Sequence, residues 1–432
     1  MALTEEMAIQ AKNASIKLSA IPLEIKNKAL YEIYKSIKTR TSEIILANKK
    51  DIGISEKNNL ASPLIKRLRL DENKINEVLN GIKSLIDLED PVGITISATE
   101  LDKGLELYKV SCPIGVIGVI FESRPDALVQ IATLCLKSGN SVLLKGGSEA
   151  ANTNLILSDI IAKSTNIAGI PDGWIQLLES RSDVNEMLKM DEYIDLIIPR
   201  GSNEFVKYIM DNSRIAVLGH AEGICHLYID DAADLDIAVS VSLDSKAQYV
   251  AVCNAVETIL VNEDIADSFL PRLNEIFLKN HIEIRGCKKT QKLINVKSAT
   301  EEDWSKEYLD YIISVKVVTN IEEAINHINN YGSKHTDGII TKNKNNAIKF
   351  MNLVDSANVL LNCSTRFSDG FRYGLGAEVG ISTNKIHARG PVGLEGLVIY
   401  KWKLIGSGQI VGDYSSGKTK FTHRKLNKKF KL

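Results

Sequence analysis

A doubly covered α/β fold, built as two successive units, is predicted by three features of the 432-residue sequence. The runs "PIGVIGVIF" (Pro113 to Phe121) and "NSVLLKGG" are apolar almost throughout, as in strands buried on both faces. Each is followed by a stretch with helical periodicity, and strands alternating with helices imply a parallel sheet covered on both sides. The same alternation resumes from residue 235 to about residue 360, which implies a second α/β unit.

Taken in order, the first 90 or so residues place apolar and charged positions at helical spacing, as in "IKNKALYEIYKSIK", and predict several amphipathic helices. "EDPVG" (Glu89 to Gly93) ends that pattern. "ITISATELDKGLELYKVSC" then predicts a hairpin turning at Asp102-Lys103-Gly104. After the strand at Pro113 to Phe121, "RPDALVQIATLCLKSG" predicts a helix that Pro125 opens and Gly139 closes. Further strand-helix pairs follow: "NSVLLKGG" with "EAANTNLILSDIIAKS", "GWIQLL" with "SDVNEMLKM", and "IDLIIPRGS" with "NEFVKYIMDN". After Gly380 the chain is loop-rich, with one strand-like run, "LVIYKWKLIG", and a polar basic tail from Gln409 to Leu432.

Composition narrows the function. With 53 basic and 54 acidic residues, the net charge of -1 offers no surface field for nucleic acid or membrane lipid. No apolar run reaches spanning length, and the N-terminus lacks the features of a signal peptide, so a cytoplasmic protein is expected. The cysteines at 112, 135, 225, 253, 287 and 363 form no C-x-x-C pair, so neither disulfides nor a metal site is expected from spacing.

Several segments carry chemistry. Lys145, Gly146, Gly147 and Ser148 end one predicted strand, and Arg200, Gly201, Ser202 and Asn203 end another, where open α/β sheets bind ligands. Free N–H groups at the following helix favour phosphate, although each junction also fits a plain turn and N-cap. Arg124, just before Pro125, suits a carboxylate or phosphate, or simply a salt bridge with Glu122 or Asp126. His220 and His226 are six apart, without the spacing of a helical metal pair, and read as structural loop residues. Cys253, in "QYVAVCNAVETILV", reads either as core filler or as a nucleophile, the second if the segment starts a helix whose N-terminus lowers the thiol pKa.

The segments "PIGVIGVIFESRPDALVQIA", "VLLKGGSEA", "DLIIPRGSN", "LGHAEGICH", "CNAVETILV", "YGSKHTDGIIT" and "NCSTRFSDGFRYGLGAEVGISTNKIHARGPVGLEGL" together resemble, over nearly the whole chain, the gamma-glutamyl phosphate reductase family, the glutamate-5-semialdehyde dehydrogenases of the aldehyde dehydrogenase superfamily. The tail resembles the reductase half of pyrroline-5-carboxylate synthase.

The resemblance implies an aldehyde-dehydrogenase-like fold: a Rossmann-type NADP-binding domain (1–93 and 113–228, with part of 358–390 packed on it), a catalytic domain (229–357), an oligomerisation element (94–112 and 391–410) and the tail (411–432). It implies a homo-oligomer in which the C-terminal strand joins a neighbouring subunit's sheet. The implied reaction is NADPH-dependent reduction of L-glutamate 5-phosphate to L-glutamate 5-semialdehyde and phosphate, in proline biosynthesis, with any glutamate 5-kinase on a separate chain. Cys253 would be the nucleophile, with the backbone N–H of Cys253 or Asn254 holding the oxyanion. Lys145, Gly146, Gly147, Ser148, Gly201, Ser202 and Glu307 would bind NADPH. Arg124, Ser364, Thr365 and Arg366 would bind the substrate. The chain departs from the family at Gln248 and Val250, and it lacks the general-base glutamate of oxidising relatives; that role is not transferred to Glu222. A CoA-acylating dehydrogenase and a tail-dependent nucleic-acid binder are the alternative readings.

Overall fold

The computed structural model describes residues 3–60, 62–179, 182–220, 222–376 and 378–431. Helices Leu3–Leu18, Leu23–Thr39, Thr41–Lys57, Ser62–Leu68 and Glu72–Asp87 open the chain. The last of these begins at the N-cap Asp71, whose carboxylate accepts the Lys74 N–H, and it buries Ile75, Leu79, Ile82 and Leu85 along one stripe.

The strands are, in order, β1 (Thr95–Asp102), β2 (Leu105–Pro113), β3 (Val116–Phe121), β4 (Ser141–Gly146), β5 (Ile175–Leu178), β6 (Leu196–Arg200), β7 (Cys225–Ile229), β8 (Val256–Asn262), β9 (Glu283–Gly286), β10 (Lys297–Ser298), β11 (Ile312–Val318), β12 (Thr336–Ile340), β13 (Asn358–Leu361), β14 (Gly380–Ser382), β15 (Gly390–Val392), β16 (Val398–Ile405) and β17 (Arg424–Leu426).

β1 and β2 form the expected hairpin, with Gly104 at φ +73° taking the left-handed position of its turn. β3 to β6 form a parallel sheet in the order β5-β4-β3-β6. Every residue of β3 and β4 is buried, which explains their unbroken apolar pattern. The order turns back at β3, leaving a crevice between the C-terminal ends of β3 and β6. A second parallel sheet has the order β10-β9-β11-β8-β7-β12-β13, so β7 is flanked by β8 and β12. Helices cover it on both sides: Phe269, Leu273 and Phe277 pack on one face, and Ile325, Ile328 and Phe350 on the other.

The third sheet, β16-β2-β1-β17, differs from the sequence expectation in two places. Val392, Leu394 and Leu397 lie in the same core as β3 and β4, so the boundary drawn at residue 391 falls too early and the strand itself starts at Val398. The tail, expected only as a polar basic segment, returns to the sheet. Arg424–Leu426 pair antiparallel with Ala98–Glu100, and the Phe430 ring packs edge-on against Tyr108. Its many lysines concealed a three-residue strand too short to show periodicity.

Candidate active site

A cleft of about 860 Å³ opens where the two parallel sheets meet. One wall carries the residues that follow β3 and β6; the other carries the turn that precedes β8. Cys253 and Asn254 lie in this cleft with Arg124, Gly201, Ser202, Glu307 and Arg366.

Helix Leu235–Ala247 ends before the nucleophile candidate, and β8 starts only at Val256. Cys253 therefore sits in a turn, closed by the Ala255 N–H donating to the Val252 carbonyl at 3.1 Å. It is not the helix start that the nucleophile reading called for, and it precedes the strand. Without a helix N-terminus, nothing of that kind lowers the thiol pKa. Burial pushes it up to about 12; Glu307 adds to the shift, and Arg200 opposes it.

The turn is held tightly. A side chain at Gly223 would come within 2.1 Å of the Cys253 carbonyl oxygen, so only glycine permits this approach. Cys225 Sγ donates to the same carbonyl at 3.1 Å. Asn254 donates through Nδ2 to the Ser368 carbonyl at 2.9 Å, while its buried Oδ1 has no partner.

The phosphate-side residues separate into two groups. Ser202 caps helix Asn203–Asn212, and its N–H is taken by Glu122 Oε2 at 3.0 Å. A Cβ at Gly201 would lie 2.5 Å from that carboxylate, so the turn brings backbone close to whatever acceptor sits there. Glu307 accepts from Asn203 Nδ2, and burial pushes its carboxyl pKa upward. Lys145, Gly146, Gly147 and Ser148 lie outside the cleft lining; the first two end β4 and the other two follow it. Lys145 Nζ donates to the Gly146 carbonyl at 2.6 Å. Next to them, Glu149 accepts from both the N–H and the hydroxyl of Ser123 and ties the β3 loop to this turn.

The expected substrate loop is likewise divided. Arg366 reaches the cleft, with Nε donating to Gln248 Oε1 at 2.9 Å. That contact gives a role to one of the positions at which the chain departs from the family it resembles. Ser364 and Thr365 do not line the cleft. The Ser364 hydroxyl accepts the Arg366 N–H, and the Thr365 N–H donates to Ser245 Oγ at 3.1 Å, so these two residues hold Arg366 in place. Arg124 is half-exposed at the rim, 3.4 Å from Asp126. Glu222 is exposed.

Arg200 is the residue that sequence reading undervalued. Its turn was noted as an anion site, but its side chain joins Glu378 and Cys253 in the cleft. Burial lowers its pKa and the neighbouring Arg124 lowers it further, while Glu378 and Cys253 favour the charged form. Glu378 accepts the Gly370 N–H at 2.8 Å. Nothing in the local sequence signals this grouping; a side chain at Gly380 would come within 3.0 Å of the guanidinium, so glycine leaves it room there.

The aldehyde dehydrogenase family model matches residues 2–289. The gamma-glutamyl phosphate reductases of Acetivibrio thermocellus and Pelotomaculum thermopropionicum are each 65% identical, covering 99% and 98% of this chain and the same shares of their own lengths. The crystal structure of the gamma-glutamyl phosphate reductase of Thermotoga maritima superposes with a TM-score of 0.93 at 41% identity, covering 94% of this chain and 99% of that one.

Proposed function

Because the chain belongs to the gamma-glutamyl phosphate reductases of the aldehyde dehydrogenase family, oxidoreductases of proline biosynthesis, we propose that it reduces L-glutamate 5-phosphate to L-glutamate 5-semialdehyde with NADPH, through a thioester on Cys253. The observation that carries this reading is the position of the thiol: one cysteine in a tightly packed turn, opening into a cleft with Arg200 and Arg366.

The cleft fits a dinucleotide. The Gly201–Ser202 turn offers close backbone approach and a helix N-terminus for a pyrophosphate, and Glu307 suits ribose hydroxyls. Lys145 to Ser148 would hold the adenosine end and the 2′-phosphate. When bound, NADPH supplies the hydride.

The protein's own groups do the rest. Cys253 Sγ attacks the γ-carbonyl as the carbon–oxygen bond to phosphate breaks, and the thiol proton leaves with the phosphate. An acyl phosphate is already activated, so no base is needed to deprotonate water, in keeping with the missing general-base glutamate. Arg366, Arg200 and Arg124 hold the substrate's anionic groups. The backbone N–H of Cys253 or Asn254 stabilises the thiohemiacetal oxyanion, a contribution of about 3 kcal/mol per donor. Collapse of the oxyanion releases the semialdehyde.

We further propose a homo-oligomer formed through β16, and a cytoplasmic location. No described helix is long and apolar enough to cross a membrane.

The test is phosphate-dependent NADP reduction by glutamate 5-semialdehyde, the reverse reaction. Wild type is expected to turn over; Cys253→Ala is expected to lose nearly all rate while still binding NADPH. A Cys253→Ala enzyme with wild-type turnover would end the covalent mechanism.

A further inference from the structure

Parallel strands β8, β7 and β12 lie side by side, so the segments that enter them meet at one edge of the larger sheet. Cys253 leads into β8, His220 stands in the loop before β7, and His335 immediately precedes β12. One donor atom from each of these three side chains lies within 4.8 Å of the other two. Linear spacing concealed this cluster, because its members are 33 and 82 residues from Cys253 (253 − 220 and 335 − 253).

Both rings are already oriented. His220 Nδ1 is 3.0 Å from the Ile381 carbonyl oxygen, which can only accept; the ring proton is therefore on Nδ1, and Nε2 presents its lone pair. His335 Nδ1 is engaged by Thr336 Oγ1 at 2.8 Å. His335 is fully buried, and its Nε2 has no hydrogen-bond partner. A buried, unsatisfied nitrogen calls for an explanation. The two rings meet edge to face at 4.7 Å. An imidazole fixed through Nδ1 with Nε2 left open is the arrangement that metal-binding histidines adopt.

We propose that Cys253, His220 and His335 form a site for a soft divalent cation, with Zn²⁺ as the best fit, and that its occupancy shuts off the reductase by capturing the sulfur. One thiolate and two imidazoles leave a fourth tetrahedral position for water, as in open zinc sites. Bonds of about 2.3 Å to sulfur and about 2.0 Å to nitrogen bring such donors together by side-chain rotation of the order of 1 Å. On binding, the thiol proton leaves to solvent and the sulfur bonds to zinc. His220 lines the cleft, so the ion enters by the path of the substrate. Inhibition rests on Cys253 being the nucleophile; metal binding does not.

The test uses full-length, chelator-treated protein titrated with Co²⁺, followed through the thiolate-to-cobalt charge-transfer absorption. One Co²⁺ per chain is expected, displaced by Zn²⁺, with the band absent in Cys253→Ala. His220→Ala and His335→Asn are each expected to weaken cobalt binding at least about tenfold, a loss that even an outer-sphere change produces. Zn²⁺ is expected to inhibit wild-type turnover reversibly, with relief by chelator. Because His335 is fully buried, His220→Ala, in the cleft wall, is the decisive variant if His335→Asn misfolds. No charge-transfer band, or unchanged cobalt affinity in His220→Ala, would overturn the site. Cobalt binding without zinc inhibition would overturn its inhibitory role. Failure of the proposed nucleophile shows separately, as a Cys253→Ala enzyme that still turns over.

Discussion

At Cys253 the surroundings act in opposite directions. Burial and Glu307 hold the thiol protonated, while Arg200 favours the thiolate. A thiol pushed up to about 12 is almost entirely neutral at neutral pH, and below that value its thiolate fraction rises about tenfold for each unit by which the pH is raised. The rate of iodoacetamide labelling at Cys253 in the nucleotide-free protein is therefore expected to climb with a log-log slope near one from pH 7 to pH 10. A plateau near pH 8 would show instead a thiol activated in the resting state. Sequence alone left Cys253 between filler and nucleophile, and motif resemblance selected the second. It did not reveal His335, which stands in no local pattern that distinguishes a site residue from a satisfied structural one, and Arg200 was legible only as part of a strand-end turn.

Helix Leu235–Ala247 connects the parts of the site. It starts at Asp234, whose carboxylate accepts the N–H groups of Asp236 and Ile237. Near its end, Ser245 holds the loop that presents Arg366. Lys246 Nζ donates to Glu257 Oε2 on β8 at 2.6 Å, with both side chains fully buried. Burial pushes the Glu257 carboxyl up, and Lys246 opposes that shift. Glu257→Ala strands a buried ammonium and is expected to cost about 3–5 kcal/mol, whereas Lys246→Met with Glu257→Leu is expected to recover most of that. Urea unfolding of the single and double variants measures both, and equal losses in the two would show that the charge pair itself is not what matters. Elements with strong periodicity, such as β3, β4 and helix Pro125–Lys137, were legible in the sequence because burial on both faces leaves an apolar run. The turn at 248–255 was not, since its backbone at Cys253 closes on Gly223, distant in sequence, without forming a strand or a helix.

Across the whole molecule, the C-terminal ends of one parallel sheet face the N-terminal ends of the other, and the cleft lies between them. The sequence signalled two α/β units; their opposition comes from contacts far apart in the chain, such as Asn203 to Glu307. On the third sheet, β16 forms one edge, paired among the described residues with β2 alone, and exposes Tyr400, Trp402 and Leu404. An exposed edge strand of eight residues can accept another strand, as the proposed homo-oligomer requires. Trp402→Glu with Leu404→Glu is expected to shift the protein to a smaller species in light scattering; an unchanged mass would remove β16 from the interface. The most direct test of the covalent reading is a rapid-quench experiment with glutamate 5-semialdehyde and NADP⁺ in the absence of phosphate. The expected result is one NADPH formed per chain, then a stall, with a single glutamyl group on the peptide carrying Cys253 and turnover restored by phosphate. No phosphate-independent burst, or an adduct on any other residue, would contradict it.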